Sequence, residues 1–375
     1  MTLSSFMVNL SDYDINPTEI AHGNFGSVSE GWEKKTRRHV AIKTIKNASS
    51  TAKENTDLVR ELSLLAQIRH PACLNLLGFT RAASDGHNPI IITPFMANGT
   101  LESALKAIFE GHPIKEFTPT KMTCSLYGIC SAMTYLHSKG IIHRDFKPAN
   151  IFLDDNYEIY VADFGVSRKQ ADVNMTMIVG SPIYMAPEMY SDDYDDKYST
   201  QVDVYSFGVS LCLYFTKSPT QLDDKKGPIK SPQNLMMRIM KGARLARPEK
   251  APDNFWEIIQ SCFKTDPAER PTFSFLIELF ENDKNYWFEG TDEAEYRAYI
   301  QKIKDGVDKI TDPELLELMK TPGGGSTPTS LTTSGTGFGS SGTGFGSSGT
   351  GFGSSGKGFG SSGKGFGEKK KHKKY

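Results

Sequence analysis

The densest group of chemically capable side chains lies at His143, Arg144, Asp145 and Lys147, followed by the amide of Asn150. A carboxylate such as Asp145 can accept the proton of an attacking hydroxyl, and the side-chain oxygen of Asn150 can bind a divalent metal ion. Lys147 adds positive charge where a transferring phosphoryl group would need it. This loop therefore has the components of a phosphoryl-transfer site.

A second acidic residue, Asp163, is a candidate metal ligand. Asp163 comes eighteen residues after Asp145, at the end of the apolar run that includes Val161 and Ala162, and Gly165 follows it closely. A carboxylate between a buried strand and a glycine is suited to bind a metal ion at a hinge. Asp163 is therefore a second candidate metal ligand besides Asn150.

Two stretches near the N-terminus could hold phosphates. Residues 21–28 read AHGNFGSV, and glycines in a turn between strands let backbone amides approach phosphate oxygens. An ordinary two-glycine hairpin would look the same. Lys43 ends the apolar stretch 40–43, and Ala41 shares its face of the strand. A lone strand lysine is usually solvent-exposed, but Glu61 on a nearby helical pattern could hold it against phosphates.

A further block at residues 180–188 reads GSPIYMAPE, and Arg270 lies far downstream in the stretch DPAERP. The carboxylate of Glu188 and the guanidinium of Arg270 make sense as a buried ion pair that holds the substrate-side loop. The sequence alone does not place the two residues in contact.

The secondary-structure patterns differ between the two parts of the chain. Up to residue 100 we predict strands at 18–21, 27–32, 39–45, 76–80 and 90–93, with one helix at 56–69. Helical patterns dominate afterwards, for example at 122–138, 199–216 and 255–262. This order predicts a small sheet lobe joined to a larger helical lobe near residues 94–99.

Together, the five blocks resemble the signature set of eukaryotic protein kinases in their order and spacing. The resemblance covers roughly residues 11–280, with a small lobe at 11–93, a hinge at 94–99 and a large lobe at 100–280. It implies an α+β fold of the bilobal kinase type, with a small antiparallel sheet lobe that carries one helix. It also implies ATP and Mg²⁺, or Mn²⁺, as cofactors and proteins as substrates.

The resemblance assigns a role to each matching residue. Asp145 would be the catalytic base, assisted by Lys147, and Asn150 and Asp163 would bind the metal, while Lys43 and Glu61 would form the active-state ion pair. The residues implied in nucleotide binding are Ala21, His22, Gly23, Asn24, Phe25, Gly26, Val28, Ala41, Lys43, Thr93, Pro94, Met96 and Phe152. Thr93 matches the gatekeeper, and Met96 the amide that donates to adenine.

Two positions depart from the family pattern. Ala21 stands at the first glycine position, which adds one methyl group where the loop is least close to the phosphates. Pro94 replaces the common hinge glutamate, but proline lacks only the N–H, and the family uses the carbonyl there. We expect nucleotide binding to tolerate both changes, although a pseudokinase scaffold is the alternative interpretation.

Acceptor class and regulation are also implied by the resemblance. Lys147 and Ser181 match serine/threonine kinases, whereas the stretch 203–209, DVYSFGV, resembles tyrosine kinases and the tyrosine-kinase-like group. The combination fits the tyrosine-kinase-like group and serine/threonine transfer, with dual-specificity or tyrosine transfer as alternatives. Arg144 resembles the arginine that binds an activation-loop phosphate, and we favour Thr176 as the phosphorylated residue, to be tested by Thr176→Ala.

Composition excludes other classes. With a formal net charge of -1, the protein has no overall positive electrostatic field that would attract nucleic acid, so no specific nucleic-acid binding is expected. The five cysteines are scattered, which favours buried reduced thiols over disulfides or zinc. We expect neither a secretory signal nor a transmembrane segment, and a cytoplasmic or nuclear location.

The C-terminal part is divided in two by composition. Residues 281–320 are predicted to form a helical extension that packs on the large lobe or binds a partner. Residues 321–375 are predicted to be disordered, with a seven-residue unit, SGTGFGS, that recurs five times with small changes, Lys357 and Lys364 replacing Thr in the later units, before a lysine-rich end. The tail is interpreted as a linker, as a set of phenylalanine contacts for association, or as an autophosphorylation substrate. Its basic end would contact an import receptor or an anionic surface, or simply be solvated.

Overall fold

An antiparallel sheet of five strands forms the N-terminal part of the fold, in the order β1-β2-β3-β5-β4. The strands are β1 (Tyr13–Gly23), β2 (Gly26–Glu33), β3 (His39–Ile45), β4 (Gly78–Thr80) and β5 (Ile90–Pro94). The computed structural model describes residues 3–23, 26–45, 62–80, 88–163, 168–169, 182–190, 199–218 and 221–309. Of the predicted helix at 56–69, residues 62–65 are helical and lie in the described part, where Leu62 is fully buried.

Strand β3 shows why its sequence adopts this position. Val40 and Ile42 are each 1% exposed and pack in the core of the sheet with the aromatic ring of Tyr13. Ala41 and Lys43 alternate with them and lie on the opposite face, where they are half-buried. The predicted alternation is therefore confirmed, and β3 has the bounds expected from it.

The hairpin between β1 and β2 depends on glycine. Gly23, at the end of β1, pairs with Gly26, at the start of β2. A Cβ atom built on Gly26 would lie 1.9 Å from the carbonyl oxygen of Thr44 on β3. No side chain fits there without displacing the strand, so Gly26 lets the start of β2 lie directly against β3.

The C-terminal part of the described chain is mainly helical. Its helices are α1 (Leu101–Phe109), α2 (Pro119–Ser138), α3 (Gln201–Cys212), α4 (Pro232–Met240), α5 (Asp253–Cys262), α6 (Phe273–Asn282) and α7 (Glu293–Gly306). Short strands β6 (Ile141–Ile142) and β9 (Arg168–Lys169) pair with each other, as do β7 (Ile151–Leu153) and β8 (Ile159–Val161). A sheet followed by helices confirms the α+β expectation.

Helices α2 and α3 form the centre of the helical part. The side-chain hydroxyl of Thr118 accepts a hydrogen bond from the amide of Lys121 and caps α2, so this helix begins earlier than the apolar pattern predicted. Eleven of the twelve residues of α3 are buried, which is typical of a helix surrounded by protein. Both helices can therefore support the loops that emerge beside them.

All five cysteines are free and buried. Burial raises the pKa of Cys212 and Cys262 to about 12, because the thiolate is poorly solvated in the interior. The prediction of buried, unpaired thiols is confirmed. Within the ranges that the structure describes, no helix has both the length and the apolar character needed to cross a bilayer.

The predicted pair of Glu188 and Arg270 is confirmed as a buried, two-bond ion pair. Arg270 Nη1 lies 2.6 Å from Glu188 Oε1, and Nη2 lies 2.8 Å from Oε2. The guanidinium also donates to the carbonyl oxygens of Lys264 and Gln201, each at 2.9 Å. The pair joins the segment after residue 181 to α3 and to the loop before α6.

We predict that Arg270→Met lowers the free energy of unfolding by about 3–5 kcal/mol, because it leaves the Glu188 carboxylate buried without its partner. Arg247→Met, which removes an exposed guanidinium paired with Asp253, should cost about 1 kcal/mol or less. Urea denaturation of both variants measures the difference. The double variant Glu188→Gln, Arg270→Met should recover part of the loss, and equal stability of Arg270→Met and wild type would contradict the assignment.

Candidate active site

The loop between β6 and β7 brings Asp145, Lys147 and Asn150 together. Lys147 Nζ lies 2.7 Å from Asp145 Oδ2, and the amide nitrogen of Asn150 donates to the same oxygen at 3.0 Å. The Asn150 amide nitrogen also donates to the Asp145 carbonyl at 2.8 Å. A largely buried carboxylate is thus oriented by one cation and one amide. The structure places these three predicted residues within hydrogen-bonding distance of one another.

The same loop is bonded to the segment that carries Asp163. The carbonyl oxygen of Asn150 accepts from the amide of Ala162 at 2.9 Å, and His143 Nε2 lies 2.9 Å from the Ala162 carbonyl oxygen. Asp163 follows directly and its side chain is exposed. The backbone therefore places the two predicted metal ligands, Asn150 and Asp163, at neighbouring positions.

A buried carboxylate outside the loop fixes its first residues. Asp203 on α3 accepts from the amide of His143 at 2.9 Å and from the amide of Arg144 at 2.8 Å, and His137 Nε2 lies 2.9 Å from Asp203 Oδ2. Burial alone would raise the pKa of Asp203, but the contacts with His137 and the Arg144 amide outweigh it and lower the pKa below its ordinary 3.8. Asp203 is therefore a charged anchor for the loop.

Two residues of the site have unusual backbone angles. Arg144 has a φ of 69° and Asp163 a φ of 62°, in the left-handed region that residues with a side chain rarely adopt. Each conformation costs about 1–3 kcal/mol and persists only where surrounding contacts impose it. The bonds to Asp203 and Ala162 supply such contacts, so the loop is held in a specific shape.

One face of the sheet collects the predicted nucleotide-binding residues. Lys43 pairs with Val28 and Ile91, and Ala41 pairs with Thr93, so their side chains point to the same side. Ala21 pairs with Val28 in the β1–β2 hairpin. Pro94, the last residue of β5, pairs with Val40, so its ring lies on the opposite face and only its backbone can face a ligand there.

The segment after β5 is tied to β7. The amide of Leu153 donates to the Gly99 carbonyl at 2.9 Å, and the amide of Gly99 donates to the Met96 carbonyl at 3.3 Å. Phe152 pairs with Thr100 across this junction and is half-buried. The bonds through Gly99 and Thr100 thereby hold the segment with Met96 beside β7, which carries Phe152.

Some predicted positions lie outside the described residues. These are Asn24, Phe25, Glu61, Thr176 and Ser181, together with the side chain of His22. The ion pair of Lys43 and Glu61, and the pairing of Arg144 with a phosphate on Thr176, stay predictions.

Sequence analysis did not predict the anchoring role of Asp203 and His137. Two sequence features marked Asp203: it begins the stretch 203–209 used for the acceptor class, and it lies between Val202 and Val204 in a strongly apolar segment. A buried acid there needs partners, but sequence does not identify them, since Asp203 and His143 are 60 positions apart.

Comparison with known proteins agrees with this geometry. A family model described as the protein kinase domain matches residues 16–280. A probable serine/threonine-protein kinase of Dictyostelium discoideum is 35% identical over 70% of this chain and 41% of its own length. The tyrosine-protein kinase transforming protein RYK of avian retrovirus RPL30 is 32% identical over 68% of this chain and 58% of its own length. The cytoplasmic tyrosine-protein kinase BMX of Homo sapiens is 30% identical over 70% of this chain and 36% of its own length.

These relatives are longer proteins. The chain spans between 15% and 41% of the length of four curated relatives from mimivirus and Dictyostelium discoideum whose names include serine/threonine-protein kinase. The similarity therefore concerns the catalytic domain, and the names are divided between serine/threonine and tyrosine kinases.

We predict that Asp203→Asn lowers the free energy of unfolding at pH 7 by about 1–3 kcal/mol, because an amide replaces a charged acceptor of buried hydrogen bonds. The folded-state pKa of Asp203 is lowered, so its contribution is complete well above pH 3.8 and is lost as the pH falls through the folded value. The difference between the two proteins should shrink in that acidic range. Denaturation from pH 7 to pH 3 measures it, with Asp155→Asn in the exposed β7–β8 turn as control; a pH-independent difference would contradict the prediction.

Proposed function

Since the chain belongs to the protein kinase family, we propose that it transfers the γ-phosphate of ATP to serine and threonine hydroxyls of protein substrates. The observation that carries the proposal is the set of bonds around Asp145. Lys147 and Asn150 orient its carboxylate, and Asn150 is bonded in turn to the residue before Asp163.

The donor atoms near Asp145 fit a Mg²⁺ or Mn²⁺ ion. The Asn150 amide nitrogen donates two hydrogen bonds to Asp145, so its oxygen is the atom directed elsewhere. Asp163 adds an exposed carboxylate, and oxygen ligands of this kind suit these ions together with nucleotide phosphates. When bound, the metal would neutralise charge on the phosphates.

The nucleotide would lie on the sheet face that holds Ala41, Val28 and Thr93. These side chains are small or apolar and half-buried, which suits an aromatic base. Lys43 shares this face, where its ammonium would contact phosphate oxygens. The carbonyl of Pro94 and the amide of Met96 are the proposed hydrogen-bonding groups for adenine.

The protein's own contribution to the chemical step is positioning and proton transfer. The Asp145 carboxylate accepts the proton of the substrate hydroxyl as the hydroxyl oxygen bonds to the γ-phosphorus and the bond from that phosphorus to the β-bridging oxygen breaks. Lys147, beside Asp145, stabilises the negative charge carried by the transferring group. The left-handed backbone at Arg144 fixes the direction from which Asp145 approaches.

Serine/threonine transfer is supported by Lys147 and by the names of several relatives, whereas tyrosine transfer is the second candidate because other relatives are named tyrosine kinases. Lys147, a residue on which the serine/threonine assignment rests, lies beside Asp145 in the site. The roles suggested for the tail and its basic end remain predictions, since residues 310–375 lie outside the described part.

The test is a transfer assay with Mg²⁺, labelled ATP and a generic protein acceptor, followed by phosphoamino-acid analysis. We expect phosphoserine and phosphothreonine with the wild type. Asp163→Asn should reduce transfer by at least about a hundredfold, because the metal loses a charged ligand. Asp155→Asn makes the same chemical change in an exposed turn and should leave the rate unchanged.

Phosphotyrosine as the main product would replace the first candidate with the second. Absence of transfer by the wild type, including protein whose activation segment has been phosphorylated, would contradict the enzymatic proposal and favour a scaffold role.

A further inference from the structure

The turn at residues 69–73 connects the helical segment 62–65 to the sheet and is bonded to α2. The amide of Arg69 donates to the hydroxyl oxygen of Tyr135 at 2.9 Å, and His70 Nε2 lies 3.0 Å from Ser131 Oγ. His70 Nδ1 accepts from the amide of Ala72 at 3.1 Å, which closes the turn. The 69–73 turn is therefore fixed to the large lobe.

The same turn is bonded to the strand that leads to Asp163. The carbonyl of Ala72 accepts from the amide of Val161 at 2.9 Å, and the amide of Leu74 donates to the Val161 carbonyl at 2.8 Å. On the N-terminal side of the turn lies the helical segment 62–65, and Glu61 is the residue that precedes this segment in the sequence. A displacement of the 69–73 turn would therefore move the neighbours of two predicted active-site residues at once.

The C-terminal helix α7 reaches this turn after packing along α2. Tyr296 and Ile303 of α7 are fully buried. The amide of Asp308 donates to the Arg69 carbonyl at 2.9 Å. A Cβ atom on Gly306 would lie 2.2 Å from Cγ of Pro71, so the end of α7 lies directly against the turn.

The N-terminal segment 3–8 contacts the same region from the other end of the chain. Phe6 is 1% exposed, and the guanidinium carbon of Arg69 lies 5.8 Å from the centre of its ring. The amide of Val8 donates to the Phe79 carbonyl on β4 at 3.1 Å. Residues before and after the catalytic domain thus meet at one turn.

Both contacting segments lie outside the matched kinase domain, which spans residues 16–280. We propose that residues 3–8 and 293–308 form a clasp that positions the 69–73 turn and thereby keeps Glu61 and Asp163 aligned for transfer. Gly306, Asp308 and Phe6 are positioning residues, because they act through the turn and not on the substrate. The proposal rests on the proposed kinase activity for its catalytic consequence, but the clasp itself is defined by contacts.

Loosening the clasp should affect turnover more than substrate affinity. Within the described ranges, the clasp contacts given above lie at the 69–73 turn, at α2 and at β4, away from the sheet face assigned to the nucleotide and from the loop at Asp145. Loosening it would lower the fraction of molecules in which the lysine, the glutamate and the metal ligand are aligned, and misplacement by about 1 Å can cost up to about a hundredfold in rate. The expected loss therefore falls on kcat.

Two variants of the full chain open the clasp. Gly306→Val places methyl groups where Pro71 lies. Asp308→Pro removes the N–H that binds the Arg69 carbonyl and also excludes the φ of 57° at this position, so both changes detach the segment from the turn. Asp305→Val, an exposed change in the same turn of α7, is the matched control for the first, and Asp308→Asn, which keeps the backbone N–H and tolerates the left-handed backbone, is the control for the second. Each is measured by steady-state kinetics and by hydrogen exchange over residues 62–80.

We expect both variants to raise exchange in the 69–73 turn and to lower kcat by about tenfold, with KM for ATP within about twofold and both controls unchanged. Faster exchange with unaltered kcat would overturn the positioning role, and unaltered exchange would overturn the clasp. If Gly306→Val does not fold, Asp308→Pro decides, because it changes a residue beyond the end of α7. A wild type without transfer activity would count against the kinase proposal, while hydrogen exchange would still decide whether the clasp exists.

Discussion

The carboxylate of Asp203 is buried in the large lobe, and the position of the loop between β6 and β7, which carries Asp145, depends on it. Its oxygens accept hydrogen bonds from the amides of His143 and Arg144, and the His137 ring lies beside them. Arg144, the residue before Asp145, is thereby held in a left-handed conformation. A buried charge is stable only when its hydrogen-bonding capacity is filled, so the loop and the anchor require each other. From this point the bonds continue through Ala162 to Asp163.

Much of the fold and part of the site could be predicted because their determinants are local. The alternation of Val40 and Ile42 predicted β3 and placed Lys43 on the open face. The group at residues 143–150 predicted a compact loop, since Asp145, Lys147 and Asn150 are close enough in sequence to meet in one turn. Glu188 and Arg270 are distant in sequence, and their opposite charges suggested an ion pair, but only the structure shows the contact.

The features that were not predicted depend on contacts between distant segments. Asp203 lies on a helix whose apolar neighbours gave no indication of which amides it would accept. The contact of Gly306 with Pro71 depends on three things together: the length of α7, the direction in which α7 packs on α2, and the position of the 69–73 turn. Periodicity shows which face of a helix is buried, but not what the end of the helix contacts. The contacts made by residues 3–8 and 293–308 could therefore be identified only from the structure.

The central claim is that this chain presents a prebuilt phosphoryl-transfer site in which Asp145 acts on the substrate hydroxyl. The most direct measurement compares wild type with Asp145→Asn, using Mg²⁺-dependent ATP binding by calorimetry and transfer in a single turnover. We predict that ATP affinity stays within about twofold, while the transfer rate falls by about 10²–10⁴-fold because the base is lost. Equal transfer rates in the two proteins would contradict the assignment of Asp145 and the account of the site built around it.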